Sequence, residues 1–346
     1  MRRPTSFQIL WLKRRSGVFP PELIVVVALA LVFDFLNGIH DSSNIVATMI
    51  SSRAFRPQTA LAMTAVSHFL GPFIFGVAVA KTIGEEVAEI EVLTLHVITA
   101  CLIGAIIWNL VTWFLGIPSS SSHALIGGLV GAIAVGAGFG AIKLSGLEKV
   151  LIALFTSPII GFALGFVLMR VILFLVRGAT PKVNDFFKRA QLFTALGMSF
   201  SHGTNDAQKT MGVITLSLVI GGVLPEFKVP VWVIAASAGA IALGTALGGW
   251  RLIRTLGGKF YKIRPVHSFT SQLTSGLVIL TASLFGGPVS TTQVVSSSII
   301  GVGSAERLGK VRWSVAGDIV TAWIVTIPAT ALLSAGIYLL LIKIPV

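Results

Sequence analysis

Phe35-Leu-Asn-Gly-Ile-His-Asp41-Ser-Ser-Asn44 and Phe200-Ser-His-Gly-Thr-Asn-Asp206-Ala-Gln-Lys209 are the two stretches that decide how this chain is built. Each follows an apolar run, carries a glycine three residues before its aspartate, and continues into more apolar sequence. A carboxylate near the middle of a bilayer costs several kcal/mol, so it marks an ion or substrate path. The same costly residue in matching frames of opposite halves points to a duplicated transporter whose site lies where the repeats meet.

Composition supports a membrane setting. Of 346 residues, 54% are hydrophobic and 11% charged. A soluble domain carries about 25% charged residues, so the chain is an integral membrane protein. Apolar stretches of about 20 residues recur along the whole length, which excludes a soluble domain on one anchor. Period-two alternation is absent, so the fold class is all-α, a polytopic bundle and not an outer-membrane barrel. The single cysteine, Cys101, implies neither a disulfide framework nor a metal site. A net charge of +13 would suggest nucleic acid in a soluble protein. Here it is read by position, because cytoplasmic loops collect Lys and Arg, and no nucleic-acid partner is expected. Residues 1–21 form a basic tail holding Arg2, Arg3, Lys13, Arg14 and Arg15. A signal-peptide reading ending near Ala28-Leu-Ala30 is rejected, because cleavage would remove half of the helix that carries Asp41.

The duplication has further anchors. Asp41 and Asp206 are 165 positions apart, while Pro118 and Pro288, Gly131 and Gly301, and Pro158 and Pro328 are each 170 apart. The halves run over 22–176 and 190–346, joined by a short basic linker, 177–189. Loops 51–57, 251–264 and 305–312 are basic, as is the linker, whereas loop 81–91 holds Glu85, Glu86, Glu89 and Glu91 against Lys81. Basic loops inside and the acidic loop outside require an odd number of crossings per half. About five segments each fit, and odd-numbered repeats are inverted. The basic tail then falls outside, against the rule.

Gly38 and Gly203 allow a backbone bend or break in each Asp frame. A broken helix offers free amides to anions and free carbonyls to cations. Asp41, Asn44, Asn205 and Asp206 add hard oxygen ligands suited to Na⁺, and Lys209 stands one turn after Asp206 to contact an anion or neutralise a carboxylate. The plainer alternative is a set of polar pairs that only hold helices together. Gly116-Ile-Pro118-Ser-Ser-Ser-Ser-His123 and Gly286-Gly-Pro288-Val-Ser-Thr-Thr-Gln293 place Ser120, Ser121, Ser122, Ser290, Thr291 and Thr292 at the start of apolar segments. Hydroxyls beside a helix N-terminus form a phosphate-type anion site, with simple helix capping as the alternative. His40, His123 and His202 fall inside these motifs, but there is no His-Glu-x-x-His and no cysteine pair. No P-loop is present, so ATP does not drive this chain.

The two Asp frames and the two Pro-Ser/Thr segments, in this order over nearly the whole chain, resemble the inorganic phosphate transporter family known as PiT. That superfamily also contains the sodium–phosphate symporters that double as retroviral receptors. The resemblance implies symport of inorganic phosphate with Na⁺ or H⁺, inverted repeats, hairpin-like helices carrying the Ser/Thr motifs, and a homodimer. It implies that Asp41 and Asp206 serve the ion and substrate centre. Ser120, Ser121, Ser122, Ser290, Thr291 and Thr292 would line phosphate, while Asn44 and Asn205 would assist with cations. His123 keeps the family pattern, but Gln293 stands where relatives have His, and the short linker replaces a long soluble loop. The expectation is a multi-pass phosphate transporter of a prokaryotic cytoplasmic membrane, not an enzyme, with Na⁺ favoured over H⁺ and no other cofactor. A sulfate symporter is the nearest alternative, then an anion channel or a membrane-embedded hydrolase.

Overall fold

The computed structural model describes residues 20–90 and 93–343. The basic tail expected over residues 1–21 lies, but for its last two residues, outside the described residues, as does Glu91. Twelve α-helices and no β-strand occur among the described residues. They follow one order twice. A long helix, α1 (Pro21–Ser51), leads to a bent pair, α2 (Pro57–Ile74) and α3 (Ala78–Lys81, continuing as a π-helical stretch Thr82–Glu86). A hairpin follows, α4 (Leu95–Leu115) and α5 (Ser121–Gly136), and then long α6 (Leu144–Leu175). The second set is α7 (Val183–Ile220), the pair α8 (Val231–Leu247) and α9 (Trp250–Gly258), the hairpin α10 (Pro265–Leu284) and α11 (Thr291–Glu306), and α12 (Trp313–Leu341).

Local chemistry sets these boundaries. α1, α2 and α10 start with proline in the first turn, where its missing N–H costs nothing. The bent pairs turn by 73° and 72°. Each break holds a glycine at positive φ, Gly76 (+81°) and Gly248 (+74°), a conformation that a side chain resists. α6 and α12 run unbroken through Pro158 and Pro328 and expose rows of large apolar residues, such as Phe155, Ile159 and Ile324, as lipid-facing helices do. By contrast His40–Met49 of α1 and Ser201–Leu218 of α7 are buried on every side, so these two helices form the centre of the molecule.

Two expectations need correction. α1 and α7 are continuous through Asp41 and Asp206, and the breaks lie in α2–α3 and α8–α9 instead. Gly38 and Gly203 serve close helix approach. A Cβ on Gly38 would stand 2.2 Å from the Ile241 carbonyl oxygen of α8, and one on Gly203 2.6 Å from the His68 Cα of α2. The five segments expected per half are present, as α1, the bent pair α2–α3, α4, α5 and α6, and again as α7, the bent pair α8–α9, α10, α11 and α12. α5 and α11 have 16 residues each, about 24 Å at 1.5 Å per residue, short of a hydrocarbon core of about 30 Å. Their N-terminal tips are buried, so α5 and α11 begin at the centre of the molecule. The linker is shorter than expected as well, since Lys188 and Arg189 already belong to α7.

The two sets exchange partners. α1 packs on α8 while α7 packs on α2, and α5 packs on α12 while α11 packs on α6. Small residues let these backbones touch. A Cβ on Gly131 of α5 would lie 2.1 Å from the Ala331 carbonyl oxygen, and one on Gly301 of α11 2.2 Å from that of Phe162.

Candidate functional site

The buried stretches of α1 and α7 bring their aspartates together under the tips of both hairpins. Asp41 Oδ1 accepts hydrogen bonds from Asn44 Nδ2 (3.0 Å) and Thr292 Oγ1 (2.9 Å). Asp206 binds the Lys209 ammonium through Oδ1. The Thr291 hydroxyl bridges the two carboxylates, 3.0 Å from Asp206 Oδ2 and 3.4 Å from Asp41 Oδ2. His202 Nδ1 lies 3.0 Å from Asp206 Oδ2, out of line for a hydrogen bond, and ligand atoms of Asp41, His202 and Asp206 fall within 4.8 Å of one another. Both aspartates are wholly buried and Lys209 is 2% exposed. The pair of frames is therefore one centre, with two carboxylates against one ammonium.

Asn44 and Lys209 occupy equivalent positions, three residues after each aspartate, and both donate to it. Asn44 also reaches Thr292 (3.0 Å). Asn205, expected beside them as a cation ligand, donates through Nδ2 to Ser283 Oγ (2.8 Å) and the Gly287 carbonyl (3.2 Å) at the tip of the second hairpin, and its Oδ1 has no partner among the described residues. The free amides at the helix breaks are satisfied by side chains that follow the aspartates. Ser42 accepts from Gly249 N–H (2.8 Å), and Gln208 accepts from Val79 N–H (2.8 Å) and Ala80 N–H (3.3 Å). Those amides are thus not ligand donors.

The hairpin tips supply hydroxyls at helix N-termini, where backbone N–H groups and the helix dipole favour an anion. Ser120 and Ser290 are the N-caps, accepting from His123 N–H (3.1 Å) and Gln293 N–H (3.3 Å). The prolines expected in the first turns stand two residues ahead of these caps. Each cap uses only its oxygen's acceptor capacity, so its proton can still be donated. Ser121 and Ser122 open α5, with Ser122 donating to the Val289 carbonyl of the other tip (3.1 Å), which Lys209 also contacts (3.0 Å). His123 and Gln293, equivalent residues of the two halves, meet each other at 3.1 Å. Both hydroxyl clusters therefore converge on one place.

Sequence reading passed over two neighbours. His68 stacks on His202 with centroids 5.1 Å apart and rings inclined by 13°, and its Nδ1 lies 2.9 Å from Thr245 Oγ1. Nothing in its local sequence marks it. Asp34 is fully buried in α1, and its signal, a carboxylate in Val32-Phe-Asp-Phe-Leu36, equals that of Asp41.

Buried ionic groups held between helices with apolar outer faces, and two hairpins meeting at them, are the build of a multi-pass membrane transporter. The sequence model of the phosphate transporter family matches residues 37–180 and 175–334, and the chain belongs to that family. A "probable low-affinity inorganic phosphate transporter" of Rhizobium meliloti is 47% identical over 92% of this chain and 96% of its own length. One of the same description from Bacillus subtilis is 44% identical over 92% and 96%. A solved structure described as the sodium-dependent phosphate transporter superposes with a TM-score of 0.85 at 24% identity, over 94% of this chain and all of its own. That likeness establishes the shared fold.

Proposed function

We propose that this chain imports inorganic phosphate together with a cation across a prokaryotic cytoplasmic membrane by alternating access. The observation that carries the proposal is the sign of the centre. Two carboxylates face one ammonium directly beside hydroxyl-lined helix N-termini. A phosphate dianion entering a net-negative, buried site meets repulsion that grows as the local dielectric falls. Cations bound by Asp41 and Asp206 remove that repulsion, so anion and cation sites depend on each other, which is the logic of symport. Na⁺ suits the hard oxygens of Asp41, Asp206, Thr291, Thr292 and Asn44. The relatives named as phosphate transporters support phosphate as the anion. Carboxylates that accept the proton of HPO₄²⁻ favour it over sulfate, which has none.

Inversion of the halves is part of the proposal. The loop after each bent pair meets the segment after each hairpin in the same way, through Glu89 N–H to the Ala141 carbonyl and Lys143 N–H to Val87 in the first half, and Arg312 N–H to the Phe260 carbonyl in the second. The first of these corners holds Glu85, Glu86 and Glu89 with Lys143 and Lys149; the second holds Lys262, Arg264, Lys310 and Arg312 with Glu306. Equivalent corners that differ this way in Lys and Arg belong on opposite membrane faces. The homodimer implied by the family resemblance is proposed with it, to be checked by light scattering in detergent.

Proteoliposomes test the central reading. Radiolabelled phosphate should accumulate under an imposed inward Na⁺ gradient, with sulfate a weak competitor. Accumulation driven by a proton gradient alone would overturn the sodium assignment, and sulfate accumulation without phosphate would overturn the substrate.

A further inference from the structure

Asp34 belongs to neither the Asp41–Asp206 centre nor the hairpin tips, yet it is fully buried in α1 seven residues before Asp41. Among the described residues, no side chain other than the neighbouring Thr210 hydroxyl is placed to donate to its carboxylate oxygens. The charged groups that face it are Asp206, Lys209 and Asp41, and Thr210 of α7 is its polar neighbour. Lys209 is already committed to Asp206 and the Val289 carbonyl. An ionised carboxylate left this way would carry an uncompensated desolvation cost that folded proteins do not sustain. Around it stand Asn37 Oδ1, which is unpaired and three residues on along the same helix face, and the Thr210 hydroxyl of α7. Asn37 and Thr210 are each 1% exposed. Two carboxylate oxygens, an amide oxygen and a single neutral hydroxyl, grouped about one buried negative charge, leave that charge without a compensating cation and ask for a positive ion. With only one carboxylate the group suits a monovalent one.

We propose that Asp34, with Asn37 and Thr210, forms a second cation site that takes Na⁺ or a proton and is loaded and emptied in each transport cycle. The proposal rests on the symport reading above. It adds one coupled cation per phosphate beyond those held at Asp41 and Asp206. The site's position explains why it would be coupled. Asp34 shares α1 with Asp41 and faces α7 beside Lys209, so charge at Asp34 acts on the same ammonium that steadies Asp206.

The test is cation stoichiometry in Asp34→Asn. In proteoliposomes with the membrane potential held at zero and a tenfold inward cation gradient, each coupled cation multiplies the equilibrium phosphate ratio by about ten, since a tenfold ratio corresponds to 1.4 kcal/mol. The variant should therefore reach a plateau about tenfold lower, while Asp34→Glu, which keeps the carboxylate, should approach the wild-type plateau. Simultaneous ²²Na⁺ uptake and an internal pH dye should show one cation fewer per phosphate in Asp34→Asn; the dye or the isotope then identifies the ion as H⁺ or Na⁺. Unchanged plateau and unchanged counts in both channels would overturn the proposal and leave Asp34 a permanently protonated structural group. Should Asp34→Asn fail to reach the membrane, Asn37→Ala and Thr210→Val serve. Each should raise the half-saturating concentration of the coupling cation about fivefold, and an unchanged value in both would overturn the site. If wild-type vesicles accumulate no phosphate at all, the symport reading fails by itself. Equilibrium cation binding to the purified protein then decides the site, one cation per chain being lost in Asp34→Asn or the proposal being wrong.

Discussion

Asp41 and Asp206 stand in equivalent frames but in different electrostatic company. Asp41 is held by neutral donors, Asn44 and Thr292, whereas Asp206 is held by the Lys209 ammonium. Their neutral variants should therefore differ. Asp41→Asn removes charge from a centre that tolerates its loss structurally, while Asp206→Asn strands a buried ammonium, a change that costs about 3–5 kcal/mol. Both should abolish phosphate accumulation, but only Asp206→Asn should lower the melting temperature in detergent markedly. Asp206→Asn with Lys209→Gln should recover stability and not transport. Equal stability of the two single variants would show that Lys209 does not depend on Asp206. Hydroxyls matter by smaller amounts. Thr292→Ala deletes a donor to Asp41 and an acceptor for Asn44, and Ser122→Ala one contact between the tips. At about 1 kcal/mol per net hydrogen bond, Ser122→Ala should weaken phosphate affinity by roughly fivefold, with Thr292→Ala weaker still, as read by uptake half-saturation. At this scale the sequence was informative wherever charge or a repeated frame drew attention. Asp41, Asp206, Lys209, Thr291 and Thr292 could be read from it, whereas the contacts of the Asn205 amide N–H₂ with the second hairpin could not, because a side chain's direction around a helix depends on what packs there. His68 carries no local signal, and Asp34 was passed over although it obeyed the rule that singled out Asp41.

At the scale of elements, the glycines of the Asp frames show why sequence reading went astray. Glycine permits a break and also permits contact, and sequence alone does not say which. Gly38 and Gly203 are contact glycines, and the breaks fall at Gly76 and Gly248, where positive φ is required. The hairpins were legible through the family resemblance and not through hydropathy. α5 is as apolar as a true span and only its length, 16 residues, sets it apart, whereas α11, of the same length, is rich in Ser and Thr. The crossing glycines give an element-scale prediction. Gly131→Val and Gly301→Val force side chains into carbonyls 2.1 and 2.2 Å from the new Cβ. Each should destabilise by about 1–3 kcal/mol or more, the range for overpacking, and reduce the amount of folded transporter. Gly239→Ala, where no atom lies within 4 Å of an added Cβ, should leave the melting temperature within a degree or two of wild type or raise it. A Gly131→Val protein with native stability would mean that α5 and α12 do not touch as described.

For the whole molecule, the decisive feature is that equivalent corners differ in their balance of charge while the halves exchange helices. The two arms of each hairpin add an even number of crossings, so each half keeps the odd parity that charge requires. The acidic corner is tied by Lys149 to Glu86 (2.8 Å) and Lys143 to Glu89 (3.4 Å); its basic counterpart gathers Arg264, His267 and Lys310 on Glu306. If the halves are inverted, these corners lie on opposite faces, with the acidic one outside and the basic one in the cytoplasm, together with the linker before α7. Glu89, Lys182 and Lys259 are exposed and suit single-cysteine labelling. Cys101 is buried and would first be replaced by Ser. In intact cells, a membrane-impermeant maleimide should modify Glu89→Cys rapidly and leave Lys182→Cys and Lys259→Cys unmodified until the membrane is opened. Phosphate uptake by each variant, kept near that of the parent, establishes that the labelled population is folded. Labelling of Glu89→Cys and Lys259→Cys at equal rates from one side would place equivalent corners on one face. The halves would then be parallel repeats, and the two hairpins would have to enter from the same side to meet at Asp41 and Asp206.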